Sequence, residues 1–447
     1  MANTVLTRTP SSAGNRKTFT WSFWFKRQNL GTESALFCVG TNPASDMFMW
    51  RFDPDIMNVY AAGNNPNLST KRKFIDTNAW YHAVLRVDTT QATASDRVRI
   101  YINGVQETSF SSATYPAQNY DTNCNTTTTI HIGERADSNQ HFGGIMSHVH
   151  FCDGYSYAPT EFGETDSTTG EWKIKTSPSV SYGTNGFFIL KDGNSVTDSS
   201  SNSNNFTVAG GTLTKTEDNP SNVICTMNPL MNYSNGTPTF AQGNTVINGS
   251  GSAWLRTSGT LANRTGKFYY EAYLQAYNSN HYKPVRIGWD SIDYPRTGAD
   301  NYYSGFNISS DGFIRGGIKG VDAYDPNATA LGVTLVQGDY IGLAIDLDND
   351  LVTCYKNGTV ISNVNGLDIS GNSNCSIINS KGYQVTPSLN FYTVNTNDNE
   401  IYFNFGNGAF GSTQLTGTTY NDSQGNGVFK YQPPTNYLCW STKSFNV

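Results

Sequence analysis

The feature that most constrains this chain is a period of two in the placement of aromatic and other apolar residues within short runs. In Phe19–Arg27, aromatic side chains at positions 19, 21, 23 and 25 alternate with Thr20, Ser22, Trp24 and Lys26. A period of two puts alternate side chains on opposite faces of a strand, so this run predicts a half-buried β-strand. Further apolar or alternating runs lie at 80–87, 98–102, 128–133, 145–151, 186–190, 267–275, 285–289, 313–318, 340–347, 351–356, 384–390 and 400–405.

The composition favours the same class of fold. Of the 447 residues only 14% are charged, and 42 are Gly, whereas an average soluble protein is about 25% charged. Gly, Asn, Ser and Thr form turns and strand faces, so long helices are not expected. The pairs Asn103-Gly104 and Asn357-Gly358 are typical of tight hairpin turns. The sequence therefore predicts an all-β protein made of two jelly-roll-like β-sandwich domains in tandem.

A polar segment divides the chain. Residues 198–205 are all Asp, Ser or Asn, and together with Gly210–Ser221 they predict a surface connection between two cores. We place a first domain at 1–205, a linker at 206–224 and a second domain at 225–447. Within the first domain, Ala158–Trp172 carries a Pro and an acidic residue near its start, which favours a strap with one or two helical turns.

Charge and hydropathy exclude two classes of partner. The net charge is −6, which gives no basic field for a phosphate backbone, so nucleic acid is not expected. Apolar stretches such as Ile341–Ile345 are far shorter than the roughly 20 residues that cross a bilayer, so membrane insertion is not expected. Residues 1–17 lack the apolar core of a secretory signal, so we expect synthesis and release in the cytoplasm.

Metal ligands are few and scattered. The seven Cys stand at long spacings without a Cys-X-X-Cys pair, as buried hydrophobes do. His148 and His150 share a strand face without a carboxylate in register, and with His131 and His141 they are more typical of packed strand residues than of ligands. We expect no cofactor, and leave open calcium in Asp- and Asn-rich loops such as those at 348–350 and 198–205.

Catalytic signals are equally weak. Sugar cleavage needs two carboxylates about 5–10 Å apart in one cleft. Asp346 and Asp348 instead lie at a predicted hairpin tip, and Glu164 and Asp166 lie in a predicted loop. No nucleophile elbow, phosphate loop, zinc-protease motif or dinucleotide fingerprint is present. We therefore expect a protein that is not an enzyme, with an envelope-polysaccharide depolymerase as the alternative.

Aromatic residues are the remaining candidates for recognition, because Tyr and Trp combine a flat apolar face with a polar edge. Tyr294, Tyr302 and Tyr303 stand in a Gly- and Asp-rich loop and are the main predicted ligand-binding residues. Tyr282 and Trp289 belong to the same dense aromatic stretch, which also contains Tyr277 and His281. Trp289 is in register with Val285 and Ile287, which favours a place in the core.

The first half resembles the concanavalin A-like jelly roll of the laminin-G type. The resemblance covers about residues 1–205 and rests on these segments: Thr18–Arg27, Trp80–Asp88, Arg99–Gly104, Phe142–Ile145, Phe151–Gly154 and Pro159–Glu164. In this order the segments look like a domain common in marine bacteriophage virion proteins.

The second half resembles a SPRY domain, which is a bent β-sandwich. The resemblance covers about residues 225–440, departs from the pattern around 290–303 and 361–381, and rests on these segments: Gly266–Glu271, Ile287–Trp289, Gly338–Leu347, Tyr355–Gly358, Thr386–Leu389 and Tyr402–Gly406.

Both families are chiefly binding modules, so their pairing implies a virion-surface or tail-appendage protein of a bacteriophage, as a tip, adaptor or decoration subunit. The expected localisation is the virion. The expected partners are other virion proteins and a host-surface glycan or protein. Because no coiled-coil stalk precedes the first predicted strand at Phe19, docking is expected to use folded surfaces or an oligomer interface, and we expect a homo-oligomer. A purely structural virion subunit is a further alternative.

Overall fold

A computed structural model divides the chain into two compact units, Met1–Thr214 and Lys215–Val447. Nearly all of the regular structure in both units is β-strand, so the predicted all-β class is confirmed. Within the described residues no helix is long and apolar enough to cross a membrane. The structure describes residues 3–191, 193, 195–231, 238–249, 253–276, 285–292, 305–316, 329–370, 384–393 and 399–445.

The first unit contains sixteen strands in its described part, together with the short helix α1 (Ala94–Arg97) and 3-10 turns at Ala62–Asn64 and Pro159–Glu161. The strands are β1 (Val5–Arg8), β2 (Thr18–Arg27), β3 (Ser34–Val39), β4 (Phe48–Asp53), β5 (Ile56–Ala61), β6 (Asn67–Lys73), β7 (Tyr81–Asp88), β8 (Val98–Ile102), β9 (Val105–Gln106), β10 (Phe110–Thr114), β11 (Ile130–Ile132), β12 (Gly144–Asp153), β13 (Gly163–Thr165), β14 (Trp172–Ile174), β15 (Phe187–Ile189) and β16 (Thr207–Gly210).

Two sheets form a sandwich around an aromatic core in this unit. Eight described strands make one sheet, in the order β10-β6-β5-β4-β3-β11-β1-β16, and six make the other, in the order β15-β12-β2-β7-β8-β9. The inward residues of β2 meet those of the opposite sheet, and the Trp21 ring stacks on Phe37 with centroids 4.0 Å apart. Aromatic pairs in this geometry add to the free energy of simple burial.

The outer face of the six-stranded sheet is covered by residues that follow β12. Phe162 and Tyr182 pack on Val84 of β7 in a small apolar cluster. Trp172 donates its indole N–H to Nδ1 of His82, at 3.0 Å. Burial lowers the pKa of His82 to about 3, so the ring accepts this bond as a neutral imidazole. The predicted strap is therefore present, but it is a single 3-10 turn followed by the β13–β14 hairpin.

The second unit contains nineteen strands in its described part, the short helix α2 (Thr442–Phe445) and a 3-10 turn at Ser362–Val364. The strands are β17 (Thr239–Ala241), β18 (Val246–Asn248), β19 (Ala253–Ser258), β20 (Lys267–Ala276), β21 (Arg286–Ser291), β22 (Gly305–Ser309), β23 (Phe313–Gly316), β24 (Thr329–Ala330), β25 (Tyr340–Asp346), β26 (Leu351–Lys356), β27 (Thr359–Val360), β28 (Leu367–Asp368), β29 (Val385–Thr393), β30 (Glu400–Asn404), β31 (Ala409–Phe410), β32 (Thr413–Gln414), β33 (Tyr420–Asn421), β34 (Val428–Phe429) and β35 (Leu438–Cys439).

Two sheets enclose the core of this unit as well. Among the described strands, the larger sheet runs β17-β18-β30-β20-β25-β26-β27, with β28 added to β26 and β35 added to β20, and the smaller runs β19-β29-β21-β22-β23-β24. Tyr270 of the larger sheet meets Trp289 of the smaller one edge to face, with ring centroids 5.7 Å apart. The predicted hairpin at 340–361 is confirmed, and Asn357 and Gly358 form its second turn with positive φ angles of 50° and 80°.

The segment predicted as a linker is shorter than expected. Thr207–Gly210 forms β16, which pairs with β1 at the edge of the eight-stranded sheet, and Ile224 is buried in the second core. The polar run before it is also folded, because the Asp198 carboxylate accepts backbone N–H bonds from Phe188 and Asn204, both at 2.8 Å. Composition alone does not distinguish such a side-chain-bonded turn from a free linker.

Limited digestion of the full chain with a lysine-specific protease should cleave first after Lys215. This residue begins the second unit, and its side chain is 42% exposed. Cleavage there, measured by intact mass, should leave two protected fragments of similar size, because each unit has its own core. An early cut inside either sandwich, or a full-length chain that resists cleavage, would contradict the boundary.

Candidate functional site

The strand β20 has large side chains on both of its faces. Phe268, Tyr270 and Leu274 point into the core, as the alternation predicts. Tyr269, Glu271 and Tyr273 alternate with these core residues along the strand. Their side chains therefore lie on the outer face of the larger sheet. A sheet with an aromatic outer face must be covered by another segment or remain available to a partner.

The C-terminal part of the chain covers one portion of this outer face. Phe429 and Cys439 form a buried cluster with Tyr269 and Ala344, and Tyr355 and Tyr437 pack against it. The Phe429 ring meets the Tyr269 ring edge to face, with centroids 5.0 Å apart. Residues 428–439 therefore close the sheet over Tyr269.

Glu271 anchors this covering segment. Its side chain is fully buried, and its carboxylate accepts backbone N–H bonds from Tyr431 at 2.8 Å and Lys430 at 3.0 Å. The Asn404 side-chain amide donates to the same carboxylate at 3.1 Å, and the Tyr269 hydroxyl donates at 3.3 Å. The two backbone donors fix residues 430–431 against the sheet, and the other two satisfy the carboxylate from the sheet itself.

The protonation of Glu271 is sensitive to pH near neutrality. Burial raises the pKa of its carboxyl to about 7, from an ordinary value of 4.5, and this effect exceeds the opposing one of the four donors. The folded state therefore favours the protonated carboxyl. The contribution of Glu271 to the free energy of unfolding is complete below pH 4.5 and is lost as the pH rises through 7.

Next to Glu271 three tyrosines form a row across adjacent strands. Tyr273 of β20 is the register partner of Tyr340 on β25 and of Tyr402 on β30. All three side chains are half-buried. Since neighbouring strands are about 4.8 Å apart, the row spans about 10 Å. We call Tyr402, Tyr273 and Tyr340 the tyrosine row.

Packing holds the rings of the row in place. Tyr273 and Tyr340 stack with centroids 4.4 Å apart, and Tyr402 lies 6.0 Å from Tyr273. Phe410 is buried beside the row, 5.1 Å from Tyr340. The backbone of Gly411 runs along Tyr402, where an added Cβ would meet the ring at 3.0 Å. The tyrosines are thus held in one arrangement before any ligand arrives.

Two residues of the covering segment complete the surface. The Lys430 ammonium lies over the Tyr340 ring, 4.6 Å from its centroid, and 5.7 Å from the centroid of Tyr431. Tyr431 lies 6.0 Å from Tyr340 and rests on the turn at Gly358. These contacts place a cation beside the Tyr340 end of the row.

The row offers hydrogen-bonding groups rather than charges. Burial, with smaller effects from Tyr273, Tyr431 and Glu271, raises the pKa of Tyr340, and burial followed by Glu400 raises the pKa of Tyr402. Both hydroxyls are therefore neutral at physiological pH, and each can donate and accept a hydrogen bond. Such a surface suits a polar ligand with apolar faces.

Among the aromatic residues predicted to bind a ligand, Tyr282, Tyr294, Tyr302 and Tyr303 lie outside the described residues, as do Tyr277 and His281. Trp289 is described and is fully buried. Its ring packs against Tyr270 and Phe306, so it is a core residue and offers no face to a ligand. Its place in the strand alternation already favoured this position.

The sequence analysis did not select the tyrosine row, although the strands that carry it were predicted. Tyr273 alternates with the core residues of β20, so the sequence pattern already placed it on the outer face of the strand. The register that brings Tyr340 and Tyr402 beside it was not available, because those residues stand 67 and 129 positions further along the chain.

The histidines pack within the first unit. The His150 ring stacks on Phe188 with centroids 3.9 Å apart, and its Nδ1 lies 2.9 Å from the Tyr182 hydroxyl. His131 lies 2.9 Å from the Glu134 carboxylate. The described residues contain no group of three or more His, Cys, Asp or Glu side chains that could hold a metal.

The carboxylates considered for catalysis or calcium binding have local partners. Asp346 accepts backbone N–H bonds from Asp348 and Asn349, both at 3.1 Å, and pairs with Lys267 at 2.8 Å. Glu164 and Asp166 of the first unit both face Lys173, at 3.6 Å and 3.1 Å. These oxygens serve turns and ion pairs.

A family profile matches part of the first unit. Residues 2–161 match Laminin_G_3, described as the concanavalin A-like lectin/glucanases superfamily. The match agrees with the sandwich observed there and with the laminin-G resemblance of the sequence. The search of curated proteins found no match.

Several solved structures are similar to the chain at low identity. The SPRY domain of human HERC1 is 14% identical over 40% of this chain and 96% of its own, with a TM-score of 0.27. A Bacteroides ovatus protein, provisionally assigned as carbohydrate-binding, is 17% identical over 47% of this chain and 59% of its own, with a TM-score of 0.28. The heptameric SAP-like pentraxin of Limulus polyphemus is 14% identical over 35% of this chain and 72% of its own, with a TM-score of 0.27. At these TM-scores the similarities give no information about what the chain binds.

Replacing Glu271 by Gln should release the covering segment. Both oxygens of the Glu271 carboxyl can accept hydrogen bonds in either protonation state, whereas the amide nitrogen of Gln cannot accept one. At least one buried donor should therefore lose its acceptor, and the free energy of unfolding should fall by about 1–3 kcal/mol. Hydrogen exchange of the Lys430 and Tyr431 amides should accelerate.

In the parent protein, denaturant unfolding should show lower stability at pH 8 than at pH 5, and Glu271→Gln should lose that part of the pH dependence.

Glu400→Gln is the matched control, because Glu400 is a half-buried carboxyl on the neighbouring strand β30 and donates nothing to the anchor. Its exchange rates at 430 and 431 should equal those of the parent. Unchanged exchange at these two amides in Glu271→Gln would show that the carboxylate does not anchor the segment.

Proposed function

We propose that this chain is a non-enzymatic binding protein that contacts its ligand through the tyrosine row of the second unit. The observation that carries the proposal is the row itself. Its three tyrosines stay half-buried on a sheet face where the neighbouring Tyr269 is fully covered. They keep part of their aromatic surface accessible at fixed positions, and the raised pKa values of Tyr340 and Tyr402 keep those two hydroxyls neutral.

Rigid tyrosines are effective recognition groups. Each provides a large amphipathic contact area while losing little conformational entropy on binding. The row loses even less, because Tyr273, Phe410 and Lys430 already restrict the Tyr340 ring. Residues of this kind are enriched among the few that dominate the free energy of binding.

Carbohydrate is the ligand class that we infer. The superfamily matched by residues 2–161 of the first unit is named for lectins and glucanases, and the ligand of the second unit is inferred from the chemistry of the row itself. Saccharides combine apolar ring faces with many hydroxyls, and the row offers aromatic surface beside phenolic hydroxyls. A neighbouring protein surface is the alternative ligand, since tyrosines serve such interfaces equally well.

The proposed setting is the surface or tail appendage of a bacteriophage virion, as a tip, adaptor or decoration subunit. Its support is the motif order of the first half, which resembles marine phage virion proteins, followed by the SPRY-like segments of the second. In this setting the target is a host-envelope glycan or protein, or a neighbouring virion subunit, and the chain acts as a homo-oligomer.

Tyr340→Ala combined with Tyr402→Ala should weaken binding sharply while the fold persists. Truncating aromatic hot spots costs about 2 kcal/mol or more, which is at least a twenty-five-fold loss of affinity. Binding should be measured on host cells, isolated envelope glycans and virions that lack this protein, and the target that shows the loss identifies the partner class. Circular dichroism and the melting temperature check the fold.

Tyr420→Ala is the matched control, because Tyr420 is a half-buried tyrosine of the same unit on the separate β33–β34 hairpin. It should bind as the parent does. If the double variant folds and binds every target like the parent, the row is not the recognition surface. A combined Tyr294→Ala, Tyr302→Ala and Tyr303→Ala variant then tests the loop selected from the sequence.

A further inference from the structure

One cation at the tyrosine row has no counter-charge. No carboxylate in the described part of the chain lies within ion-pair distance of the Lys430 ammonium, which is held by the rings of Tyr340 and Tyr431. A lysine held over aromatic faces keeps its charge and its three N–H donors for another group. It is therefore a positioned donor for an anion.

The other charged side chains around the row are either paired with an opposite charge or lie at its far end. Asp339 pairs with Lys356 at 3.0 Å and accepts a side-chain bond from Asn357 at 2.9 Å. Glu400 lies near Tyr402, whose pKa it helps to raise, at the opposite end of the row. The row is thus electrically asymmetric, with its available positive charge at the Tyr340 end.

The position of this cation is set by the sheet rather than by a mobile loop. The backbone N–H of Lys430 binds the buried Glu271 carboxylate at 3.0 Å, and the next residue binds the same group. These bonds fix the backbone of Lys430 beside the row, and the contacts with the rings of Tyr340 and Tyr431 then place its ammonium. A fixed cation beside fixed hydroxyls distinguishes a binding site from a scattered surface charge.

We propose that the tyrosine row binds an acidic saccharide, with a sugar carboxylate on the Lys430 ammonium and the adjoining sugar along Tyr340, Tyr273 and Tyr402. This inference rests on the proposed function and names its ligand. The row spans about 10 Å, enough for more than one sugar ring.

A carboxylate fits this site better than a phosphate or a densely sulfated chain. One lysine supplies one positive charge, which matches a single monoanion. A chain with one or more anionic groups on every sugar would also place negative charge near Glu400 at the far end of the row, in a protein whose net charge is −6. Such ligands need several cations together.

The test uses polymers whose carboxylates are separated by neutral sugars, hyaluronan and gellan, each in its native form and after reduction of its carboxyl groups to alcohols. Dextran sulfate reports charge-driven binding that lacks a carboxylate. The full chain, Lys430→Gln, Lys430→Arg and the control Lys443→Gln are compared on immobilised polymers. Lys443 is an exposed lysine of the same unit, on α2.

At least one native polymer should bind, and carboxyl reduction or Lys430→Gln should each weaken it by about tenfold or more. Lys430→Arg should retain most of the affinity because the charge remains, and Lys443→Gln should match the parent. The tyrosine double variant should lose the same interaction, which places it at the row.

The contrary outcomes separate the two proposals. Equal binding of native and reduced polymers, or stronger binding of dextran sulfate, overturns the acidic saccharide while leaving the row as a binding surface. The same holds if no polymer binds but envelope extracts bind in a way that depends on the tyrosines. If no target shows dependence on the tyrosines, the proposed function fails as well.

Discussion

The four hydrogen bonds donated to the buried Glu271 carboxylate control the outer face of the second unit. Two of them, from the backbone N–H groups of Lys430 and Tyr431, join strand β20 to a segment about 160 positions further along the chain. A buried carboxylate is tolerated only when its oxygens are satisfied, so the returning backbone must lie where these donors reach them. On one side of Glu271 the sheet is covered over Tyr269. On the other side Tyr273 and its neighbours remain half-buried beside Lys430, and the candidate surface follows from that arrangement.

Both units must cover the outer face of a sheet, and they do so to different extents. Each contains a sheet whose long strand carries bulky side chains on both faces, β2 in the first and β20 in the second, so each needs a covering segment. In the first unit the segment after β12 supplies Phe162, Tyr182 and Trp172, and a neutral His82 is buried beneath them. In the second unit the cover leaves the tyrosine row accessible. The row is preorganised because strand register aligns its rings and Glu271 holds its cation, which lowers the entropy lost on binding.

Local alternation explains why much of the fold is predictable from the sequence. It identified β2, β7, β8, β20, β25 and β26, along with the turn at Asn357-Gly358. It missed β3 to β6, in part because β3 is buried along its whole length and β6 alternates only over its first four residues before three exposed ones. It also treated 206–224 as a linker, although β16 pairs there with β1. The site required non-local information: strand register aligns Tyr273 with Tyr340 and Tyr402, and Glu271 becomes an anchor only when the end of the chain returns to it.

A crystal structure of the chain with the oligosaccharide that binds it most tightly in solution tests the central claim most directly. The account predicts sugar density along Tyr402, Tyr273 and Tyr340, with an acidic group at the Lys430 ammonium and little movement of these three rings. Density on the first unit, or on the loop that carries Tyr294, Tyr302 and Tyr303, with the row empty, would contradict it.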